Sequence, residues 1–165
     1  MRIMGIDPGL ARTGYGVIEV RGSRLRHVDN GCVETHPSEN MIGRLEEVFE
    51  RIEALLATHR PDEVAVEQLF FSNNARTAFM VGQARGVILL ALSKAGVALG
   101  EYTPLEVKQS VVGYGNAAKG QIQYMVKAIL GLAEAPRPDD AADALALAIC
   151  HAHLRDRAAL LREAR

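Results

Sequence analysis

The first 35 residues contain three strand-like segments joined by short turns, and this arrangement constrains the fold more than any other feature. The segments cover residues 2–7, 12–20 and 25–35. Parallel strands need a crossover of a dozen or more residues, so these strands are predicted to form an antiparallel meander. Within the third segment, Asn30-Gly31 is compatible with either a hairpin turn or a β-bulge.

Helical and strand patterns then alternate along the chain. Apolar residues recur at three- and four-residue steps from Met41 to Leu56, which predicts an amphipathic helix with Ser38 as its N-cap and an end near Pro61. Further strands are predicted at 63–68 and 97–102, and further helices at 74–94, 105–112, 118–130 and 139–153. A strand that follows a helix favours a parallel crossover. The predicted fold is therefore α/β, a five-stranded mixed sheet with helices on both faces.

The helix predicted at 74–94 is apolar on nearly every side. Ala78, Gly82 and Gly86 lie four residues apart and form a stripe of small side chains. Each Gly in a helix interior costs roughly 1 kcal/mol relative to Ala, so close approach of another helix is expected to offset that cost. The other helix could belong to a partner subunit or to the same chain, and both interpretations stay open.

Length and composition are those of an ordinary globular protein. The chain has 165 residues, which predicts one domain at 1–153 followed by a helical or mobile tail at 154–165. Cys32 and Cys150 have no metal-ligand spacing, which favours a reducing, cytoplasmic environment. No signal peptide is recognised, and the apolar stretches are expected to be too short and too interrupted to span a bilayer. The net charge is −1, so any nucleic-acid binding must use a local basic surface.

Two carboxylates are predicted to lie at one edge of the sheet. Asp7 ends the first strand directly before the Pro8-Gly9 turn, and Glu67 lies at the end of the fourth strand. If those strands are parallel neighbours, both side chains open at the same end of the sheet, where α/β sites usually lie. Taken alone, Asp7 could instead cap its own turn, and Glu67 could be an exposed residue at a strand end.

A second pair of carboxylates begins the last helix. Asp140 and Asp143 are three residues apart and share a helical face among alanines, while Asp139 fits the N-cap position. The helix dipole also explains acids at an N-terminus. Together with Asp7 and Glu67, however, they form the set of oxygen ligands that Mg²⁺ prefers. Two such ions, about 3.5–4 Å apart, can promote in-line cleavage of a phosphodiester, so a metal-dependent nuclease site is predicted.

Five short motifs occur in order between residue 1 and about residue 153. They are Gly5-Ile6-Asp7-Pro8-Gly9 with Gly14-Tyr15-Gly16, Val66-Glu67-Gln68-Leu69-Phe70-Phe71, Gly82-Gln83-Ala84-Arg85-Gly86, Lys108-Gln109, and Asp140-Ala141-Ala142-Asp143-Ala144-Leu145. Together these motifs resemble the RuvC family of Holliday-junction resolvases. The resemblance implies the ribonuclease H-like fold, a five-stranded mixed sheet whose first three strands are antiparallel.

The same resemblance implies a homodimeric endonuclease that resolves four-way DNA junctions by paired symmetric nicks, in recombination and repair. It implies two Mg²⁺ ions per active site, replaceable by Mn²⁺, and it gives the catalytic and metal-binding roles to the four acids named above. The implied DNA contacts are Phe70, Lys108 and Lys119. The implied partners are junction-binding and branch-migration proteins of the RuvA and RuvB type. No interaction with a membrane is expected.

Elementary chemistry agrees with these DNA contacts. Phe70 and Phe71 point to opposite faces of an extended chain, so one can pack in the core while the other stacks on an unpaired base. Lys119 opens a helix after a glycine-rich loop, where backbone N–H groups also favour a phosphate. Arg76 and Arg85 could also hold phosphates, or could be ordinary surface charges.

Three other interpretations stay open at this point. A nucleotide-binding ATPase of the actin and sugar-kinase type also begins with a strand, an Asp and a Gly-bearing loop, but it needs a second such domain. A non-catalytic junction-binding protein would use the acids structurally. Another ribonuclease H-like nuclease would use the same acids on a different nucleic-acid substrate.

Overall fold

The computed structural model describes residues 1–68 and 75–163. Within these residues, strands and helices follow the predicted order. The strands are β1 (Arg2–Asp7), β2 (Arg12–Arg21), β3 (Arg24–Glu34), β4 (Glu63–Glu67) and β5 (Ala98–Tyr102). The helices are α1 (Met41–His59), α2 (Ala75–Ala95), α3 (Pro104–Val112), α4 (Lys119–Leu130) and α5 (Asp139–Glu163).

The five strands form one mixed sheet in the order β3-β2-β1-β4-β5. β1 pairs antiparallel with β2, and β2 pairs antiparallel with β3. On its other side β1 pairs parallel with β4, which pairs parallel with β5. The predicted sheet is confirmed, and so is the adjacency of the first and fourth strands on which the predicted acidic site depends.

Alternation along the strands decides which side chains face the last helix. Ile3 of β1 and Ala65 of β4 pack into one apolar core with α3, α4 and α5, whereas Met4 packs into the other core with α1 and α2. Asp7 lies four residues after Ile3, and Glu67 lies two residues after Ala65. Both acids therefore project from the α5 face of the sheet.

Helix α5 packs against β1 and β2 so closely that only glycine fits between them. A Cβ atom added to Gly5 would overlap the backbone of Ala144 and Ala148, and one added to Gly16 would lie 2.6 Å from Leu145 Cγ. The helix contributes alanines to the same contact, and Ala144 and Ala148 are fully buried. This close approach brings the start of α5 to the end of β1.

Helix α2 corrects one expectation from the sequence. The apolar stretches are expected from the sequence to be too short and too interrupted to span a bilayer. Within the described residues, however, α2 is long and apolar enough to do so, judged by length and composition alone. In the fold, α2 packs against α1, and Ile88, Ala91 and Leu92 are buried in the core that those two helices share. Its outer face leaves Phe79 and Leu90 more than half exposed.

Three local predictions are wrong in detail. The N-cap of α1 is Asn40 rather than Ser38, because the Asn40 side chain accepts a hydrogen bond of 2.9 Å from the Gly43 N–H. The irregularity in β3 falls near Val28 rather than at Asn30-Gly31, because Val17 pairs with Asp29 while Ile18 pairs with His27.

The third difference concerns the last helix. Asp139 is its first residue rather than its N-cap, and the helix continues to Glu163, past the predicted end near residue 153. The Asp139 carboxylate instead accepts a hydrogen bond of 2.9 Å from Gln123 on α4. The boundary predicted between the domain and the tail stays a prediction.

Gly5→Ala should test the close packing of α5 on the sheet. The added methyl group would meet backbone atoms that cannot rotate away, so we expect the free energy of unfolding to fall by about 3 kcal/mol or more. Gly120→Ala in α4 is the matched control, because nothing lies within 4 Å of its Cβ position. The control should raise the free energy of unfolding by about 0.5–1 kcal/mol through helix propensity. Urea unfolding measures both, and equal effects would contradict the close contact.

Candidate active site

A cavity of about 280 Å³ opens where β1 and β4 end. Its polar lining consists of three acids and two lysines, namely Asp7, Glu67, Asp143, Lys108 and Lys119. The apolar part of its wall comes from α3, α4 and α5, through residues such as Val107, Ile122 and Leu147. The structure therefore brings together three of the four predicted acids and both predicted lysines in one cavity.

Asp7 is the central acid of this site. It is the last residue of β1 and pairs across the ladder with Gly14 of β2, so the backbone fixes its position. Burial, followed by the negative charges of Glu67, Asp143 and Asp140 in that order, raises the pKa of the Asp7 carboxyl from 3.8 to about 8. The charge of Lys119 acts in the opposite direction. In the absence of an added cation, Asp7 thus favours its protonated form.

Glu67 and Asp143 also have raised pKa values. Burial, followed by the charge of Asp143, raises the pKa of Glu67, and Lys108 partly offsets this. Burial also raises the pKa of Asp143, although the hydrogen bond and charge of Lys119 lower it. Three carboxyl groups whose ionised forms are disfavoured by burial and by neighbouring negative charges form a site in which a bound cation would be stabilised.

Lys119 connects α4 to the start of α5. It is the first residue of α4, and its ammonium lies 3.1 Å from Asp143 Oδ2 and 3.4 Å from Asp139 Oδ2. Burial lowers the pKa of Lys119, but its hydrogen bonds and the charges of the two acids outweigh this effect and raise the pKa. Lys119 is therefore a charged group at the cavity wall, as its predicted phosphate contact requires.

Asp140, the fourth predicted acid, does not line the cavity itself. Its carboxylate lies 3.3 Å from the guanidinium of Arg12, whose Nε is 3.0 Å from Glu34. Its backbone is fixed by Gly14, since a Cβ atom added there would overlap the Asp140 carbonyl. Asp140 is still near enough to Asp7 for its charge to raise the pKa of that carboxyl.

Arg12 is a site residue that the sequence reasoning missed. The sequence predicts Arg12 only as the first residue of the second strand, but two features of the fold assign it to the site. It lies at the same end of the meander as Asp7, and Glu34 is its direct partner in the β2–β3 register. Cross-strand pairs of opposite charge commonly stabilise a sheet, so a salt bridge between them was predictable once the register was known.

Two further basic residues, Lys108 and Arg85, are held in position by the helices that carry them. Lys108 lies on α3, which begins with a capping box: Thr103 accepts from the Glu106 N–H, and Glu106 accepts from the Thr103 N–H. Arg85 of α2 is only 15% exposed, forms a salt bridge with Glu101, and donates a hydrogen bond of 3.2 Å to the Glu67 carbonyl. Arg85 thus supports the end of β4 rather than standing free for phosphate.

Phe70 lies outside the described residues, so its predicted DNA contact stays a prediction. Arg76 is exposed at the start of α2, and Lys108 and Lys119 line the cavity. The metal-binding role of the four acids and the DNA-binding role of the two lysines also stay predictions, because the position of a side chain does not show what it binds.

The donor set can be compared with what a divalent metal requires. Within the described ranges, 1–68 and 75–163, no three His, Cys, Asp or Glu side chains stand close enough to hold a metal ion as they are oriented. The chemistry of the set nevertheless fits a hard divalent cation, because it offers only carboxylate oxygens, with the pKa of Asp7, Glu67 and Asp143 raised. The salt bridges of Lys119 and Arg12 occupy two of the acids, so a metal would bind by displacing them.

The sheet order, with acids ending two adjacent parallel strands and beginning the helix that faces them, defines a ribonuclease H-like protein with a nuclease-type site. Comparison with known proteins identifies the family. The family described as "Crossover junction endodeoxyribonuclease RuvC" matches residues 3–151. The chain therefore belongs to the RuvC family, which confirms the resemblance found in its motifs.

Individual relatives agree over nearly the whole chain. The crossover junction endodeoxyribonuclease RuvC of Brevibacillus brevis is 56% identical over 155 residues, covering 94% of this chain and 93% of the relative. The protein of that name from Pelotomaculum thermopropionicum is 54% identical over 153 residues, covering 93% of each chain. The solved structure of Thermus thermophilus RuvC in complex with Holliday junction substrate is 42% identical, with a TM-score of 0.91 over 96% of both chains.

Family membership confirms the predicted fold and the predicted enzyme class, an endodeoxyribonuclease. It also implies that a divalent metal is used. Membership in a nuclease family argues against the nucleotide-binding ATPase considered from the sequence.

The raised pKa of Asp7 predicts how stability depends on pH in metal-free buffer. A carboxyl whose pKa is raised from 3.8 to about 8 on folding stabilises the protein fully below about pH 4 and loses that contribution as the pH rises through 8. Asp7→Asn should remove this loss. Relative to wild type, the variant should gain stability with increasing pH, by up to about 5 kcal/mol at pH 8.

Glu19→Gln is the matched control of opposite sign. The hydrogen bond from Arg21 lowers the pKa of Glu19, so its contribution is present above its ordinary pKa and disappears as the pH falls. This control should therefore reduce stability at neutral pH and approach wild type in acid. Urea unfolding between about pH 3 and pH 8 measures both, and parallel curves for wild type and Asp7→Asn would contradict the raised pKa.

Proposed function

We propose that this protein is a structure-selective endonuclease that resolves four-way DNA junctions by paired symmetric nicks, in homologous recombination and repair. The observation that carries the proposal is the cavity in which Asp7, Glu67 and Asp143 meet two lysines. Acids alone would suit many metal enzymes, whereas acids bordered by cations suit a polyanionic backbone. A relative that is 42% identical has been solved in complex with a Holliday junction substrate, which supports the choice of DNA.

The metal is proposed to be Mg²⁺, two ions per site, with Mn²⁺ as a substitute. Asp7, Glu67, Asp140 and Asp143 would hold it, and when bound it would supply an activated water and a counter-charge for the leaving oxygen. Oxygen-only donors suit Mg²⁺ better than they suit softer metals, which prefer nitrogen and sulfur. The raised pKa of Asp7 supports this assignment, because a divalent cation would relieve the repulsion among the acids.

The protein groups have separate tasks in this reaction. Lys119 of α4 and Lys108 of α3 both line the cavity, and each can hold a phosphate oxygen of the strand that enters. The apolar wall excludes bulk water and strengthens these charge interactions. Phe70 is proposed to stack on a base at the centre of the junction, as the family resemblance implies.

We propose further that the protein acts as a homodimer. Two symmetric nicks require two active sites, and α2 offers a surface for self-association. Phe79 is 67% exposed, Leu90 is 54% exposed, and Gly86 lies between them at helical spacing with nothing within 4 Å of its Cβ position. The small-residue stripe predicted on this helix is thus open on the described surface at Gly86, which favours a partner subunit over a neighbour in the same chain.

The cellular setting belongs to the same proposal. Junction-binding and branch-migration proteins of the RuvA and RuvB type are the proposed partners, because a resolvase needs its junction presented and moved. A cytoplasmic location is proposed, supported by two cysteines that are both free in the structure.

Junction cleavage tests the proposed activity directly. With Mg²⁺, wild type should nick a mobile four-way junction at symmetric positions in preference to a linear duplex or an RNA–DNA hybrid. Asp143→Asn should bind the junction with similar affinity but cleave it at least about 100-fold more slowly, because phosphate contacts dominate affinity whereas the acid serves the chemistry. Denaturing gels and band shifts measure these. Binding without any nicks by wild type would indicate a non-catalytic junction-binding protein.

Sedimentation tests the proposed dimer. Leu90→Glu places a charge in the centre of the exposed α2 face and should weaken association at least tenfold, because burying an unpaired charge is costly. Ile42→Glu on α1 is the matched control, since Ile42 is 79% exposed and lies outside that face. A monomeric wild type, or equal effects of the two variants, would contradict a dimer formed through α2.

A further inference from the structure

Arg12 forms a salt bridge with Asp140, the one predicted metal ligand that does not line the cavity. Its Nη1 is 3.3 Å from Asp140 Oδ2, and its Nε is 3.0 Å from Glu34 Oε1. The Arg12 side chain is 45% exposed, and its guanidinium makes a single contact with Asp140 rather than a two-pronged one. Exposed single-contact pairs of this kind contribute little stability, so the Arg12–Asp140 pair can open at small cost.

A divalent metal and Arg12 both require the Asp140 carboxylate. A metal that binds the Asp140 carboxylate must either lie close to the positive charge of Arg12 or displace the guanidinium. A displaced Arg12 guanidinium would still be held by its salt bridge to Glu34, because Arg12 and Glu34 are direct neighbours in the β2–β3 ladder. Arg12 would then remain beside the cavity with its remaining N–H donors free, and a guanidinium is well suited to phosphate.

We propose that Arg12 is an exchangeable counter-cation, which pairs with Asp140 before the metal binds and contacts a DNA phosphate afterwards. The proposal rests on the proposed function, since it concerns the metal and the DNA of that site. Its consequence is a coupling: metal binding frees a cation for DNA, and DNA that engages Arg12 frees an acid for metal. Coupling of this kind is reciprocal, so each ligand must raise the affinity of the other.

The first experiment measures metal affinity without DNA or turnover. Titration calorimetry with Mn²⁺ on the full chain should show binding about threefold tighter for Arg12→Ala than for wild type, because a competing charge is gone. Glu34→Gln should bind about twofold to threefold more weakly, because Arg12 is then held by Asp140 alone. Arg12→Lys should stay near wild type. Arg21→Ala is the control, since Arg21 pairs with Glu19 at the far end of the same strand.

The second experiment measures junction binding against salt, with Ca²⁺ replacing Mg²⁺ and again without divalent metal. With Ca²⁺, Arg12→Ala should lower the slope of log affinity against log salt by about one, the value for one lost phosphate contact. Without metal, the variant and wild type should share one slope, because Arg12 is then engaged by Asp140.

Each other result contradicts the exchange in a recognisable way. Weaker Mn²⁺ binding by Arg12→Ala would show that Arg12 orients Asp140 for the metal instead of competing with it. An equal loss of salt slope with and without Ca²⁺ would show a permanent phosphate contact. Wild-type behaviour of Arg12→Ala in both experiments would overturn this inference while leaving junction cleavage intact. Absence of Mn²⁺ binding by wild type would overturn the metal proposal itself.

Discussion

The contact between α5 and the sheet is the constraint on which the site depends. Gly5 and Gly16 on the strands leave no room for side chains, and Ala144 and Ala148 on the helix bring its backbone down to theirs. Interiors are packed like crystals, so a contact this close fixes the position of the helix along and across the strands. The register of the contact, rather than any bond between the acids themselves, places Asp140 and Asp143 beside Asp7.

The electrostatics of the site follow from this packing. Burial and repulsion by the neighbouring acids raise the pKa of Asp7, and the fold tolerates the cost because strand and helix positions are fixed by apolar contacts elsewhere. Lys119 compensates part of the negative charge at Asp143, and Arg12 does so at Asp140. Functional sites commonly contain groups that are unfavourable for stability, and perturbed carboxyl groups are among the most frequent of these. The metal-free site is thus a balanced set of charges that a cation or a phosphate can rearrange.

Much of this organisation could be predicted from residues alone. Turn lengths in the first 35 residues determined an antiparallel meander, and helix-to-strand order determined the parallel pair that aligns Asp7 with Glu67. Asp140 and Asp143 were predictable from helical spacing. Long-range relations were not: Arg12 becomes a site residue only through the β2–β3 register, and Arg85 becomes a support only because Glu101 lies within reach. Local cap choices such as Asn40 over Ser38 depend on where the preceding chain leaves the sheet.

The two faces of the sheet are built from different materials, and this bears on how the protein can vary. Where α5 crosses β1 and β2, glycine and alanine meet at backbone contact, so these few positions have almost no alternatives. The α1 and α2 face is filled by larger, mutually adjustable side chains such as Met4, Ile52 and Ile88. Hydrophobic residues of similar volume can replace one another in such a core. Substitutions of similar volume should therefore be tolerated more readily in the α1 and α2 core than at the glycine and alanine positions under α5.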